Sequence, residues 1–140
     1  MKTISILGST GCIGRKALDI ASSNNFEILA ITGHKNFKLI LEQAKLYKPK
    51  CICITNEKSY NIVKSELSSY PTQIFPGEEL ENIAAIDVDC CVMAISGNAG
   101  IIPTFSSLGY AKRLAIATKE AIISGGKCLM KLAKEKNTQI

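Results

Sequence analysis

Three glycines stand three residues apart in Gly8-Ser9-Thr10-Gly11-Cys12-Ile13-Gly14, close to the start of the chain. The chemistry such a spacing serves is the holding of a pyrophosphate. Gly8 lets the chain turn sharply out of a preceding strand, Gly11 lets an anion approach the backbone, and Gly14 lets a following helix pack tightly on a sheet. The N-terminus of that helix offers free N–H groups and the positive end of its dipole. The pattern G-x-x-G-x-x-G is a variant of the commoner G-x-G-x-x-G, and a purely structural glycine turn would leave the same signature. A strand pattern before it and a helical pattern after it favour the dinucleotide reading.

The end of the second strand bears on which nucleotide. A site for NAD usually places Asp or Glu there, to bond the ribose 2′-hydroxyl. This chain has Ile31-Thr32-Gly33-His34-Lys35-Asn36, with no carboxylate. Lys35 is suited to an additional phosphate, and His34 can add a hydrogen bond whether charged or neutral. NADPH is therefore favoured over NADH, the alternative being a lysine and a histidine on a solvated loop. Two later segments follow the fifth and sixth strands, Ser96-Gly97-Asn98-Ala99-Gly100 and Thr118-Lys119-Glu120. With residues 8–14 and 33–36 they place four loops at the carboxyl ends of strands, the edge where open α/β sheets bind ligands.

Other residues that could do chemistry offer less. Of the six cysteines, Cys51 and Cys53 are expected on opposite faces of a strand, Cys90 and Cys91 are adjacent, and no C-x-x-C pair exists. They read as buried small apolar residues in a reducing compartment, and His34 is the only histidine. No metal site is expected among these residues. The carboxylates Glu78, Glu79, Glu81, Asp87 and Asp89 are expected at the sheet edge opposite the glycine loop.

The elements that must position these loops read as alternating strands and helices. Strands are expected at Thr3–Leu7, Glu27–Ile31, Cys51–Thr55, Thr72–Phe75, Asp89–Ile95 and Arg113–Ala117. Helices are expected over Cys12–Ser22, with Ile13, Ala17 and Ile20 on one face, from Phe37 to Tyr47, around Tyr60, Val63 and Leu67, over Glu78–Ala85, from Pro103, and over Lys127–Lys136. Thr138-Gln139-Ile140 looks like the start of a further strand. The alternation predicts a Rossmann-type, doubly wound α/β fold, its mostly parallel sheet covered by helices on both faces. Residues 1–140 are expected to form one domain.

Composition is that of an ordinary globular chain, with 46% apolar and 21% charged residues. The net charge is +5, yet only Arg15 and Arg113 among 17 cations are arginine and aromatics are 6%, so nucleic acid is not an expected partner. Local attraction for a phosphorylated small molecule uses this charge better. No apolar run approaches the roughly 18 residues of a membrane span, and the N-terminus lacks a signal-peptide pattern. The expected location is cytoplasmic, or an organelle stroma or lumen after removal of a targeting segment.

The segments GSTGCIG, TGHKN, SGNAGIIPT and ATKEAIISGG, in this order and spacing, resemble 1-deoxy-D-xylulose 5-phosphate reductoisomerase, and the resemblance covers the whole chain. It implies NADPH contacts at Thr10, Gly11, Cys12 and Ile13 and along Gly33, His34, Lys35 and Asn36. It further implies cofactor contacts at Thr118 and Glu120 and a sugar-phosphate contact at Lys119. Cys12 stands where the family usually has Ser, and Thr118 where it has Asn; a hydroxyl cannot give an amide's paired donor and acceptor. Family members continue into a Pro-Val-Asp-Ser-Glu-His stretch, whose carboxylates bind a divalent metal, Mg or Mn. The resemblance thus implies the NADPH domain of a longer homodimeric enzyme of non-mevalonate isoprenoid synthesis. No catalytic residue lies in this stretch, its catalytic and C-terminal domains lie outside it, and it is expected to be inactive alone. Two other readings stay open: the cofactor domain of another NADP-dependent oxidoreductase, against which Cys128 counts because it lies on an expected helix with no histidine nearby in sequence, or a non-catalytic nucleotide-binding module.

Overall fold

A computed structural model describes all residues 1–140. Six strands form one sheet: β1 (Thr3–Leu7), β2 (Glu27–Gly33), β3 (Cys51–Ile54), β4 (Gln73–Pro76), β5 (Val88–Met93) and β6 (Ala111–Ile116). Their order is β4-β3-β2-β1-β5-β6, and every pairing is parallel. Six helices lie between and beyond them: α1 (Cys12–Ser23), α2 (Phe37–Tyr47), α3 (Glu57–Glu66), α4 (Leu80–Ala84), α5 (Ile101–Ser106) and α6 (Lys119–Glu135).

Two apolar layers hold the sheet from opposite sides. Ile6, Ile31 and Ile52 meet Leu18 of α1, Ile40 of α2 and Val63 of α3 on one face. Leu7, Cys53, Met93 and Leu114 meet Ile83 of α4, Leu108 beyond α5 and Leu129 of α6 on the other. Central strands are covered on both sides, which is why β3 reads Cys-Ile-Cys-Ile without a polar residue. This is the doubly wound α/β architecture. No helix is long and apolar enough to cross a membrane.

Several expectations are corrected. Cys51 and Cys53 share one face of β3, both in the layer facing α4 and α6, because side chains alternate with period two. Burial pushes the Cys51 thiol up to about 11 and the Cys53 and Cys91 thiols up to about 12, so these act as small apolar groups. Cys12 and Cys128 are exposed, unlike the buried cysteines expected. Helix α1 buries Gly14, Leu18 and Ala21, leaving Ile13 50% and Ile20 63% exposed. The close approach of Gly14 to the Gly8–Ser9 backbone sets the rotation of α1, and Leu18 and Ala21 follow on the same stripe. Helix α6 is two helices joined at a non-helical Gly126 (φ 45°): the second answers to the expected Lys127–Lys136, and the first, from Lys119, is additional. Gln139 pairs with Arg113 in an isolated parallel bridge, where the pattern predicts the start of a further strand.

At the amino edge of the sheet, Asp89 accepts hydrogen bonds from Lys112 Nζ (2.7 Å) and from the Thr3 backbone N–H (2.8 Å). The Lys112 ammonium, then the two Thr3 donors, lower its pKa from 3.8 to about 2. A depressed folded-state pKa favours the native state above the unfolded value, and that contribution disappears as pH falls through the folded one. Asp89→Asn is therefore expected to flatten the loss of stability between about pH 4 and about pH 2, as read from urea unfolding across that range. An unchanged acid limb would show that the contact contributes nothing.

Candidate functional site: a phosphate cradle at the carboxyl edge

The three glycines of the first loop do different work. Gly8 sits at φ 89°, and a β-carbon there would stand 2.5 Å from the Ala94 carbonyl oxygen. At Gly14 it would overlap the Gly8 carbonyl oxygen and stand 2.7 Å from Ser9 Cα. Both positions require glycine for the loop to close on β5 and α1. Gly11 is otherwise. Its backbone is extended (φ −75°, ψ 171°), and its β-carbon would meet only the Gly8 oxygen, at 3.6 Å. Nothing within the fold requires glycine at this position, where the chain opens onto a cleft.

Gly11 caps α1 with no side-chain hydrogen bond. The first bond of the helix is Arg15 N–H to the Gly11 carbonyl (3.0 Å), so the N–H groups of Cys12, Ile13 and Gly14 have no intrahelical acceptor. The first turn carries no acid that would compete for them. The end of α1 is therefore an open anion cradle.

A buried polar network fixes the loop in place. Ser9 Oγ donates to Gln43 Oε1 (2.7 Å), and Gln43 Nε2 donates back to the Ser9 carbonyl (2.8 Å). The Gly8 N–H donates to Thr32 Oγ1 (2.8 Å), and the Ser9 N–H to the Thr32 carbonyl (2.9 Å). Ser9, Thr32 and Gln43 are each at most 3% exposed, so their polar atoms need these partners. Sequence reasoning missed Gln43. Its one signal was a polar residue on the apolar stripe of α2, beside Ile40 and Ala44.

The cleft, about 460 Å³, opens between loops from both halves of the sheet. Gly8, Thr10 and Gly11 wall it from the β1 loop, and Thr32, Gly33 and His34 from the end of β2. Thr55 and Leu80 follow β3 and β4, and Ala94, Ile95, Ser96 and Ala99 follow β5. The strand order reverses direction between β1 and β5, so the cleft lies at the switch point, where doubly wound sheets take ligands.

His34 and Lys35 lie exposed at the β2 end. His34 Nδ1 is 2.8 Å from Thr55 Oγ1. The Lys35 carbonyl accepts from Ser59 Oγ (3.2 Å) and from the Phe37 N–H (2.9 Å), which ties the loop backbone down while the ammonium stays free. Asn36 caps α2, its Oδ1 accepting from the Leu39 N–H (3.2 Å).

The structure brings three of the four expected loops around the cleft, residues 8–14, 33–36 and 96–100. Thr118, Lys119 and Glu120 follow β6 at the same sheet edge, Thr118 as the N-cap of α6, but do not wall the cleft. Thr118 Oγ1 is buried without a hydrogen-bond partner, while Lys119 is exposed. Cys128 lies on the later half of α6, away from the cleft. The carboxylates divide between edges. Asp87 and Asp89 lie at the amino edge as expected, but Glu78 and Glu79 follow β4 at the carboxyl edge, and Glu78 shares a neighbouring hollow with Thr55. The reason is topological: β4 runs parallel to its one neighbour, β3, and ends immediately before these residues. No three of the chain's His, Cys, Asp or Glu side chains come together as ligands, so its residues do not fit a divalent metal.

A six-stranded parallel sheet with a glycine loop leading to an open helix N-terminus at the switch point defines a Rossmann-type domain. The family profile of 1-deoxy-D-xylulose 5-phosphate reductoisomerase matches residues 4–126. The chain belongs to that family. It is 42% identical to the 1-deoxy-D-xylulose 5-phosphate reductoisomerase of Wolbachia sp. subsp. Drosophila simulans (strain wRi), with all of this chain and 36% of the relative covered. It is 37% identical to that of Caldanaerobacter subterraneus subsp. tengcongensis, over 99% of this chain and 37% of the relative. Among solved structures, the Zymomonas mobilis reductoisomerase in complex with NADPH superposes with a TM-score of 0.93 at 28% identity, covering 99% of this chain and 37% of that one. A DOX-P reductoisomerase in complex with NADPH, fosmidomycin and magnesium gives 0.90 at 32% identity, covering 99% of this chain and 35% of that one. The chain thus spans little more than a third of the length of the relatives it matches.

Proposed function

We propose that this chain is the NADPH-binding domain of a reductoisomerase that converts 1-deoxy-D-xylulose 5-phosphate to 2-C-methyl-D-erythritol 4-phosphate. The observation that carries the reading is the cradle at Gly11, with unpaired N–H groups at the start of α1 and no acid in its first turn. The pyrophosphate sits there, against Thr10, Gly11, Cys12 and Ile13, with Gly8 and Gly14 shaping the loop. The loop Gly33–Asn36 takes the adenosine ribose and its 2′-phosphate, with Lys35 as the cation and His34 as a further donor. When bound, NADPH would supply a hydride to the aldehyde carbon produced by skeletal rearrangement of the substrate.

Lys119 is the contact for the sugar phosphate, and Glu120, with the chain at Thr118, contacts the cofactor once the remaining domains complete the site. The divalent metal belongs with carboxylates outside these 140 residues, so this chain alone has no turnover. The full-length enzyme is a homodimer of the cytoplasm or an organelle interior, with neither nucleic acid nor membrane as partner.

Calorimetry on this chain tests the cofactor assignment. NADPH is expected to bind more tightly than NADH. Lys35→Glu should lower NADPH affinity on the order of tenfold and narrow or reverse the preference, because a carboxylate repels the phosphate and accepts from a ribose hydroxyl. Equal wild-type affinities for the two nucleotides would sink the assignment.

A further inference from the structure

We infer that Thr55 is a positioning residue for nucleotide choice, holding the His34 ring so that its second nitrogen is presented to the 2′-phosphate; this rests on the NADPH reading above. Thr55 directly follows β3, an element to which neither the glycine loop nor the β2 loop belongs. Its Oγ1 lies 2.8 Å from His34 Nδ1 and 3.4 Å from the Gly33 carbonyl oxygen, and both Thr55 and His34 wall the cleft. Parallel pairing of β2 with β3 fixes the placement, because the Thr55 N–H also donates to the Gly33 carbonyl (3.1 Å).

A threonine hydroxyl carries one proton and two lone pairs. With its proton directed to Gly33 O, it accepts a hydrogen bond from Nδ1–H. In the imidazolium form Nε2–H is then left to donate to an anion. With its proton directed to Nδ1, Nε2 again carries hydrogen and donates. Both arrangements hold the ring by Nδ1; in the second Nε2 is a donor in the neutral ring, in the first only when both nitrogens carry hydrogen. Without Thr55 the ring of an exposed residue turns freely, and the ordering cost falls on cofactor binding. The ionisable groups on the surrounding elements are Lys35 on the same loop, Lys38 in the first turn of α2, Glu57 on α3 and Glu78 beyond β4. The cations add to the pull on the phosphate, while the two acids flank the far side of Thr55. The effect is specific to the 2′-phosphate: NADH has no group there for the ring to meet.

A double-mutant cycle on the chain, read by calorimetry with NADPH and with NADH, tests this. Thr55→Val, nearly isosteric and without the hydroxyl, should reduce NADPH affinity roughly 3- to 10-fold and leave NADH affinity unchanged. Thr55→Ser should restore the preference. In a His34→Ala background, Thr55→Val should cause no further loss, because the hydroxyl acts only through the ring. Equal losses for both nucleotides, or an undiminished loss in the His34→Ala background, would overturn the inference and leave NADPH binding standing. A wild-type chain that prefers neither nucleotide would overturn both.

Discussion

Gly11→Val is expected to weaken NADPH binding by about 2 kcal/mol, roughly 30-fold, without unfolding the chain. A glycine can serve the fold or serve a ligand, and here the two demands come apart. At this position the backbone is extended, a conformation valine adopts readily, and the nearest atom to a new β-carbon is 3.6 Å away. Restricting the unfolded chain even adds a little stability where the native φ and ψ suit the new residue. What the substitution does remove is space above the N–H groups at the start of α1, where a pyrophosphate comes closest to the backbone. The thermal midpoint should therefore hold or rise slightly while the titration curve shifts. A variant that unfolds, or one that binds as the wild type does, would each show that the cradle has been misread.

Gly14→Ala makes the opposite prediction. Its β-carbon would overlap one backbone oxygen and stand 2.7 Å from a backbone Cα, neither of which belongs to a flexible side-chain end. Either α1 lifts from the sheet or the loop shifts, and each disturbs the layer built on Leu18 and Ala21. Overpacking of this kind costs about 3 kcal/mol, equivalent to a lowering of the midpoint by roughly 10 °C in a chain of this size. Cofactor affinity should fall with it, because the backbone of Gly8 and Ser9 is displaced. The two variants together form a discriminating pair: one loses ligand and keeps its melting point, the other loses both. A Gly14→Ala protein that melts like the wild type would mean that the helix has room the packing does not show.

The fold was largely legible because parallel strands buried on both faces leave short apolar runs between turn residues, as in Cys51–Ile54. What the sequence concealed was set by contacts distant along the chain. Counting apolar residues alone makes Ile13, Ala17 and Ile20 the inward stripe of α1. The backbone of Gly8 and Ser9 instead draws Gly14 inward, and Leu18 and Ala21 with it. Gln43 is polar, and only its partner Ser9, 34 residues earlier, reveals why it is buried. Gly125-Gly126 reads as a break and is one at Gly126; what the pattern concealed is the helix that precedes it from Lys119. In the cleft, the glycine loop and Gly33–Asn36 were recognisable from spacing and charge. Thr55, Thr32 and Leu80 were not, since strand register brings the first two to the cleft and the packing of α4 brings the third. Thr118 stands at the expected sheet edge, but its hydroxyl is buried there rather than turned to the cleft.

The central position of β1 gives its two pairings very different spans in the chain. Ile4 pairs with Ile28 on one side and with Cys90 on the other, so one pairing closes early in the chain and the other spans 86 residues. Loop closure over the longer span is the costlier step, and contacts so distant in sequence slow folding. On a ribosome, β1 to β4 emerge with α1, α2 and α3 and can bury their shared layer before β5 has been made. That half-sheet presents the bare inner edge of β1, a row of unpaired N–H and C=O groups open to other chains. Docking of β5 covers the edge and, in the same event, brings Ala94, Ile95 and Ser96 opposite the glycine loop. The cleft does not exist before then. A nucleotide that occupies it binds only the finished sheet and so shifts the folding equilibrium toward that state by mass action.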